Sequence, residues 1–217
     1  MGETYQMIGS DLLRYDKNRK YFAFDFETTG LNLYYDLPWQ VSYSVFTIDR
    51  VLEEHNFFIW WDNLEISQDA ARVTRFDFNT YKNLALDSSM VLKSFEAYLY
   101  DPEIYPVGHN LLGYDTMIHK TWRNKLGFEP DYSYINRLYD TAILSKAYKK
   151  GWKIDRNDLQ SCQYRYAEYI ERGLKTNLAQ MGREFDIQFD PNKLHDAKED
   201  IRLNIEVFKK LIWKIEI

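Results

Sequence analysis

The sequence predicts one α/β domain built on a mixed sheet, and three observations carry that expectation. Three strand-like runs separated by short polar turns come first, and helix-periodic segments alternating with a short strand follow. The length of 217 residues suits one such domain with a full core and only marginally two. A hydrophobic fraction of 45% and an aromatic fraction of 17% belong to a globular chain, not a disordered one.

Residues 1–20 read as a leader, with Leu12-Leu13 packing one helical turn on the body. Strands are expected at 21–27, 40–48 and 55–61, joined as an antiparallel meander. Helices follow at 67–75 and 88–100, with Ser67 and either Asp87 or Ser88 as N-caps. The short strand 104–108 contains Pro106, which places it at a strand start or a sheet edge. Two further helices, 111–126 and 139–149, are closed by Gly127 and Gly151. The chain ends in an amphipathic helix whose stripe is Ile201, Ile205, Phe208, Ile212 and Ile215, flanked by Leu211 and Trp213. His195 lies just before that helix, and Asp200 is expected in its second turn beside the stripe. Without an internal repeat, low-complexity tract or linker, residues 21–217 read as one unit.

Composition excludes several classes. No apolar run approaches the roughly 20 residues of a membrane span, and the amino end lacks the basic start and apolar core of a signal peptide. Gln6 stands where a myristoylation signal needs Ser or Thr. Cys162 is the only cysteine, so an internal disulfide is impossible and a reducing, cytoplasmic setting is the natural one. One Cys and four His make a structural zinc site improbable. The net charge of −5 argues against a broad nucleic-acid-coating surface, yet not against a nuclease. Carboxylates that hold cations restore positive potential only where a phosphate must sit.

The chemistry concentrates at Phe24-Asp25-Phe26-Glu27-Thr28-Thr29-Gly30-Leu31. On a strand, residues i and i+2 share a face, so Asp25 and Glu27 emerge together among Tyr21, Ala23 and the Phe residues. Paired acids beside apolar neighbours call for a compensating cation, and oxygen ligands suit a divalent one. The turn after them offers backbone N–H groups and hydroxyls to a sugar or phosphate oxygen. Three more polar clusters follow: His109-Asn110 running to Tyr114-Asp115, then Asp140-Thr141, then His195-Asp196 running to Asp200. Asp140 fits a helix N-cap better than a ligand. His55 and His119 have no evident partner and read as structural.

With these residues in view, the chain resembles the DEDDh, DnaQ-like 3′–5′ exonucleases. The first family motif is matched at residues 25–31. The second is matched at 109–115, and the third, His-x4-Asp, at 195–200. The sister group with Tyr in the third motif is excluded, because position 196 is Asp196. The resemblance implies a ribonuclease-H-like fold with a five-stranded mixed sheet, three antiparallel strands followed by parallel ones, flanked by helices. It covers residues 21–217 as one exonuclease domain, with 150–175 longer than a minimal member needs.

What the resemblance implies for the site is residue by residue. Asp25, Glu27, Asp115 and Asp200 become the ligands of two divalent cations, Mg²⁺ or Mn²⁺, and His195 the general base, suited to that task near neutral pH. Thr28, Thr29 and Leu31 would hold the terminal nucleotide, with Leu31 as a wedge against its base. His109 and Asn110 either orient substrate or Asp115, or form a satisfied structural pair. The implied reaction is hydrolysis of single-stranded 3′ ends of DNA or RNA to nucleoside 5′-monophosphates. Polymerase proofreading would need a separate polymerase partner, and RNA end trimming or a non-catalytic binding module on the same fold are the alternatives. Residues 149–175 hold seven Lys or Arg against four acids, interleaved with Trp152, Tyr164, Tyr166 and Tyr169. Base stacking along a single strand and an ordinary solvated helix face explain that segment about equally.

Overall fold

The computed structural model describes residues 12–194 and 196–217, so most of the expected leader and His195 lie outside the described residues. The strands are β1 (Lys20–Thr28), β2 (Pro38–Phe46), β3 (Val51–Trp60), β4 (Leu86–Asp87), β5 (Ile104–Gly108) and β6 (Tyr139–Asp140). The helices are α1 (Gln68–Thr74), α2 (Phe78–Leu84), α3 (Ser88–Leu99), α4 (Asp115–Lys125), α5 (Thr141–Lys150), α6 (Leu159–Ala167), α7 (Leu178–Glu184) and α8 (Ala197–Lys214). The strands form one sheet in the order β4-β3-β2-β1-β5-β6. β1, β2 and β3 pair antiparallel, whereas β5 joins β1, β6 joins β5 and β4 joins β3 in parallel. The expected mixed sheet is therefore present, with six strands instead of five, because the two-residue β4 extends the β3 edge.

Local chemistry explains most element ends. The Ser67 side chain accepts from Ala70 N, Asp87 caps α3, and Gly151 closes α5 in the left-handed region. α4 begins at Asp115, later than expected, because residues 110–114 form a turn before it. Pro106 does not sit on an edge strand. β5 lies between β1 and β6, but β6 pairs only Val107 and Gly108, so the proline position keeps an unpaired flank. Leu13 is buried in a one-turn 3₁₀ helix, Leu13–Tyr15, as the apolar pair Leu12-Leu13 suggested.

Both faces of β1 are buried, as expected of a strand covered by helices on each side. Phe22, Phe24 and Phe26 pack on one face, where the Phe95 ring of α3 lies 5.1–5.4 Å from all three. Tyr21 and Ala23 pack on the other, against Phe208 and its neighbours on α8. The alternation corrects the sequence reading. The Phe residues do not surround the acids. Asp25 and Glu27 share the parity of Tyr21 and Ala23, on the α8 side of the sheet.

α8 buries Ile201, Ile205, Phe208 and Ile212, while Trp213 turns outward. Both histidines read as partnerless have partners: His119 Nε2 lies 2.9 Å from Glu96 Oε1, which Arg123 also engages, and His55 Nε2 lies 3.4 Å from Glu53 Oε2. Among the described residues no helix is long and apolar enough to cross a membrane.

Candidate active site

The β1–β2 ladder fixes Asp25 opposite Ser42 and Glu27 opposite Gln40, then slips between Glu27 and Thr28. That irregularity releases the chain into the 28–30 turn. Thr28 Oγ1 lies 2.6 Å from the Tyr114 hydroxyl, and both hydroxyls approach the Gly30 carbonyl, at 2.7 and 2.9 Å. Thr29 Oγ1 donates to Asp36 Oδ1 at 2.8 Å and accepts from Leu37 N at 3.0 Å. Gly30 is required here because a Cβ would fall 2.5 Å from Asp36 Oδ2. Thr29 is buried, and its hydroxyl braces the turn through Asp36 and Leu37. Leu31 follows, 86% exposed.

The second cluster is organised by Asp140. Its carboxylate accepts from Asn110 N at 2.9 Å, Leu112 N at 3.0 Å and Ala142 N at 3.0 Å, which caps α5 and shapes the turn that delivers Asp115. Asn110 takes a left-handed φ of 63°, where Asn is tolerated. Gln163 of α6 braces the same strand end, accepting from Asp140 N and donating to the Leu138 carbonyl at 2.8 and 2.7 Å. His109 Nδ1 lies 3.0 Å from Thr141 Oγ1, whose hydroxyl donates to Asn204 Oδ1 at 2.6 Å. Burial lowers the His109 pKa to about 4, leaving a neutral ring near pH 7. His109 is thus both held structurally and placed on the cavity wall.

Asp115 opens α4, and Asp200 lies in the first turn of α8, not the second as expected. Asp196 caps α8 by accepting from the Lys198 and Glu199 amides. Asp25, Glu27, Asp115 and Asp200 line one cavity of about 640 Å³. Glu27 and Asp115 are buried, Asp25 and Asp200 half-buried. Burial raises the Asp25 pKa to about 8, with Asp200 adding to the effect, and burial with Asp25 and the other acids raises Glu27 to about 10. Asp115 is pushed well up by burial and Asp25. Its Oδ1 is buried with no hydrogen-bond partner. Among the described residues, no three His, Cys, Asp or Glu side chains stand close enough to chelate one ion as placed.

The cavity has walls the sequence did not reveal. Ala70, Val73 and Thr74 of α1 line it together with Leu31, and Tyr114 joins the turn to α4. Tyr114 was within reach of sequence reasoning, as the residue just before Asp115. The α1 wall was not, since nothing in residues 68–74 signals chemistry. In the 149–175 segment the structure favours packing. Trp152 sits 4.6 Å from the Tyr166 ring and 4.9 Å from Tyr169. Lys150 pairs with Glu171 and Lys149 with Glu184, and Lys146, just before the segment, donates to the Ala167 and Tyr169 carbonyls. Of the four aromatics, Tyr164 is the most exposed, at 41%.

The Thr28–Tyr114 contact carries a test of the turn. Tyr114→Phe and Thr28→Val should each cost about 1 kcal/mol of stability, and together less than their sum. Urea unfolding of the double-mutant cycle measures this, and strict additivity would show that the contact does not hold the turn.

No family model and no curated protein matches the chain. Solved structures do match its fold. Escherichia coli exonuclease I in complex with a dT13 oligonucleotide aligns with a TM-score of 0.71 at 15% identity, over 90% of this chain and 41% of that one. The zinc-bound form of the E. coli exonuclease I–ssDNA complex gives 0.69 at 16% identity, over 88% and 40%. Exonuclease I from Methylocaldum szegediense gives 0.69 at 17% identity, over 89% and 42%. The fold is ribonuclease-H-like. The chain spans about four tenths of the length of these proteins, and at such identities the likeness is one of architecture.

Proposed function

We propose that this chain is a metal-dependent 3′–5′ exonuclease of the DEDDh type that acts on single-stranded DNA ends. The observation that carries the reading is the arrival of four carboxylates from β1, α4 and α8 on one cavity, beside a braced turn that carries an exposed leucine. The residues fit hard divalent cations such as Mg²⁺ or Mn²⁺. The donor set is all oxygen, the Asp115 Oδ1 acceptor is buried and unpartnered, and a cation would offset the burial and mutual repulsion that raise these carboxyl pKa values. Asp25, Glu27, Asp115 and Asp200 would hold the ions, which supply charge relief at the phosphorus oxygens and the leaving 3′ oxygen.

The protein's own groups do the rest. The 28–30 turn, whose Thr29 N–H already donates to the Leu37 carbonyl, sets its remaining backbone groups beside a terminal 3′-hydroxyl, Leu31 and Val73 flank the terminal base, and His195 takes the proton of the attacking water. The likeness in fold to exonuclease I complexes with single-stranded oligonucleotides supports DNA as the substrate.

Product analysis on matched DNA and RNA oligonucleotides labelled at the 5′ end, with Mg²⁺, Mn²⁺ or EDTA, tests this. A metal-dependent ladder shortening from the 3′ end is expected, stronger on DNA. Tight binding with no shortening would overturn it in favour of a binding module, and shortening of RNA alone in favour of end trimming. His195→Ala should lose roughly 10²–10⁴-fold in rate, the usual share of general-base catalysis, while still binding metal. If metal affinity fell as far as in Asp200→Ala, His195 would be a ligand instead.

A further inference from the structure

Beyond the catalytic cavity, the loop 31–35 exposes three large side chains in succession on one segment: Leu31 at 86%, Tyr34 at 71% and Tyr35 at 81%. A soluble surface rarely groups such residues without using them. The loop is not slack. Asn32 N donates to Asp36 Oδ2 at 2.6 Å, Asn32 Oδ1 accepts from Tyr34 N at 3.0 Å, and Asn32 O accepts from Tyr35 N and Asp36 N at 3.2 and 2.9 Å. The Leu33 side chain packs against the core, and its carbonyl accepts from Thr121 Oγ1 of α4 at 2.7 Å. The loop is thus anchored inward at Leu33 and presents its neighbours outward on a fixed backbone.

A cation completes the surface. Lys120 Nζ of α4 lies 5.6 Å from the centroid of the Tyr34 ring. Leu31 lines the candidate cavity, so the loop that carries the two rings begins at its wall. A strand whose 3′ nucleotide occupies that cavity must lay its preceding nucleotides on adjoining surface. Exposed rings beside a lysine offer what single strands need there, π faces for bases and positive charge for phosphate. A pre-ordered platform also binds at little entropic cost.

We infer that Tyr34 and Tyr35 stack on the bases immediately 5′ of the terminal nucleotide of single-stranded DNA, with Lys120 on the intervening phosphate. This inference rests on the exonuclease reading and deepens it. Duplex ends are disfavoured at this surface because paired bases already stack on one another, so the platform adds single-strand selectivity that the cavity alone does not provide.

The test uses the full chain and two substrates. One is a 5′-fluorescein oligothymidylate of about ten nucleotides, a length within the usual range of single-strand sites, and the other is the p-nitrophenyl ester of thymidine 5′-monophosphate, which has no upstream base. The double variant Tyr34→Ala/Tyr35→Ala should bind the oligonucleotide about tenfold more weakly or worse by anisotropy in EDTA. It should raise KM on that substrate and leave kcat and KM for the ester unchanged, and Tyr34→Phe/Tyr35→Phe should restore binding. Unchanged oligonucleotide binding overturns the inference. So does an equal loss on the ester, which would mean that the loop acts only through the turn. A parent chain that dimerises and is made monomeric by the double variant would assign the surface to a second copy and also overturn it. If the parent chain hydrolyses neither substrate, the exonuclease reading fails, while the binding arm still decides the platform.

Discussion

Asp25→Asn should abolish nucleotide release from single-stranded DNA and at the same time make the protein more stable in EDTA at pH 8. The loss of rate should exceed roughly 10³-fold, more than the removal of one oxyanion donor usually costs, because Asp25 is central to the carboxylate cluster. The gain in stability follows from linkage. The folded-state pKa values of Asp25 and Glu27, about 8 and about 10, lie above their unfolded values. Between the unfolded and folded values the native state holds protons that the unfolded chain has released, so stability falls as pH rises through that window. The parent protein in EDTA should therefore melt progressively lower from about pH 4 toward pH 8, with the penalty complete only above the folded pKa values. Asp25→Asn removes one of these acids and the charge that adds to burial in raising Glu27, so its melting temperature should fall less steeply. The two curves should converge near pH 4. Mg²⁺ should raise the melting temperature of the parent more than that of the variant. Near wild-type turnover by Asp25→Asn would sink the metal-site assignment, and parallel melting curves would sink the electrostatic one.

The convergence of Asp25, Glu27, Asp115 and Asp200 on one cavity was legible because local sequence constrains where each acid sits. Asp25 and Glu27 must alternate on a strand, and Asp115 must open a helix after a turn. What escaped was set by distance along the chain or by brevity. β4 and β6 are two residues each, too short for any period to register. α2 and α7 are seven residues each, held by single side-chain caps at Asp77 and Asn177 and by packing, so no apolar stripe announces them. The hydrogen bond from Thr29 to Asp36 was not foreseen, and Asp140 proved to be an organiser of the 109–115 turn as well as a cap. That the Phe side chains lie on the face opposite the acids was legible from alternation alone, since 22, 24 and 26 differ in parity from 25 and 27; which face meets α3 and which meets α8 was carried by residues far downstream. The basic-aromatic segment was ambiguous for the same reason. Lys149 and Lys150 are spoken for by Glu184 and Glu171, and only the packed chain brings those partners together.

Circular single-stranded DNA should survive conditions that degrade its linear form completely, and a 3′-phosphate should block the linear form nearly as well. Thr28 and Tyr114 hold the Gly30 carbonyl, Asp36 braces Thr29 and leaves no room for a Cβ at position 30, and the backbone therefore has little freedom to withdraw. This braced segment leaves β1 directly after Glu27, so whatever it contacts lies beside the carboxylates. A free 3′-hydroxyl is small and can accept from backbone N–H groups there, whereas a 3′-phosphate brings negative charge toward four acids and adds bulk that the turn cannot yield to. A continuing chain would have to pass through the turn or over Leu31, which stands almost wholly exposed at the cavity mouth. Paired ends should react slowly for the related reason that they must fray before the terminal base can enter between Leu31 and α1. Gel analysis of circular and linear single strands of equal sequence, with and without a 3′-phosphate, separates these outcomes. Efficient cutting of the circle would mean that the chain enters the cavity sideways, and would contradict end recognition by the turn.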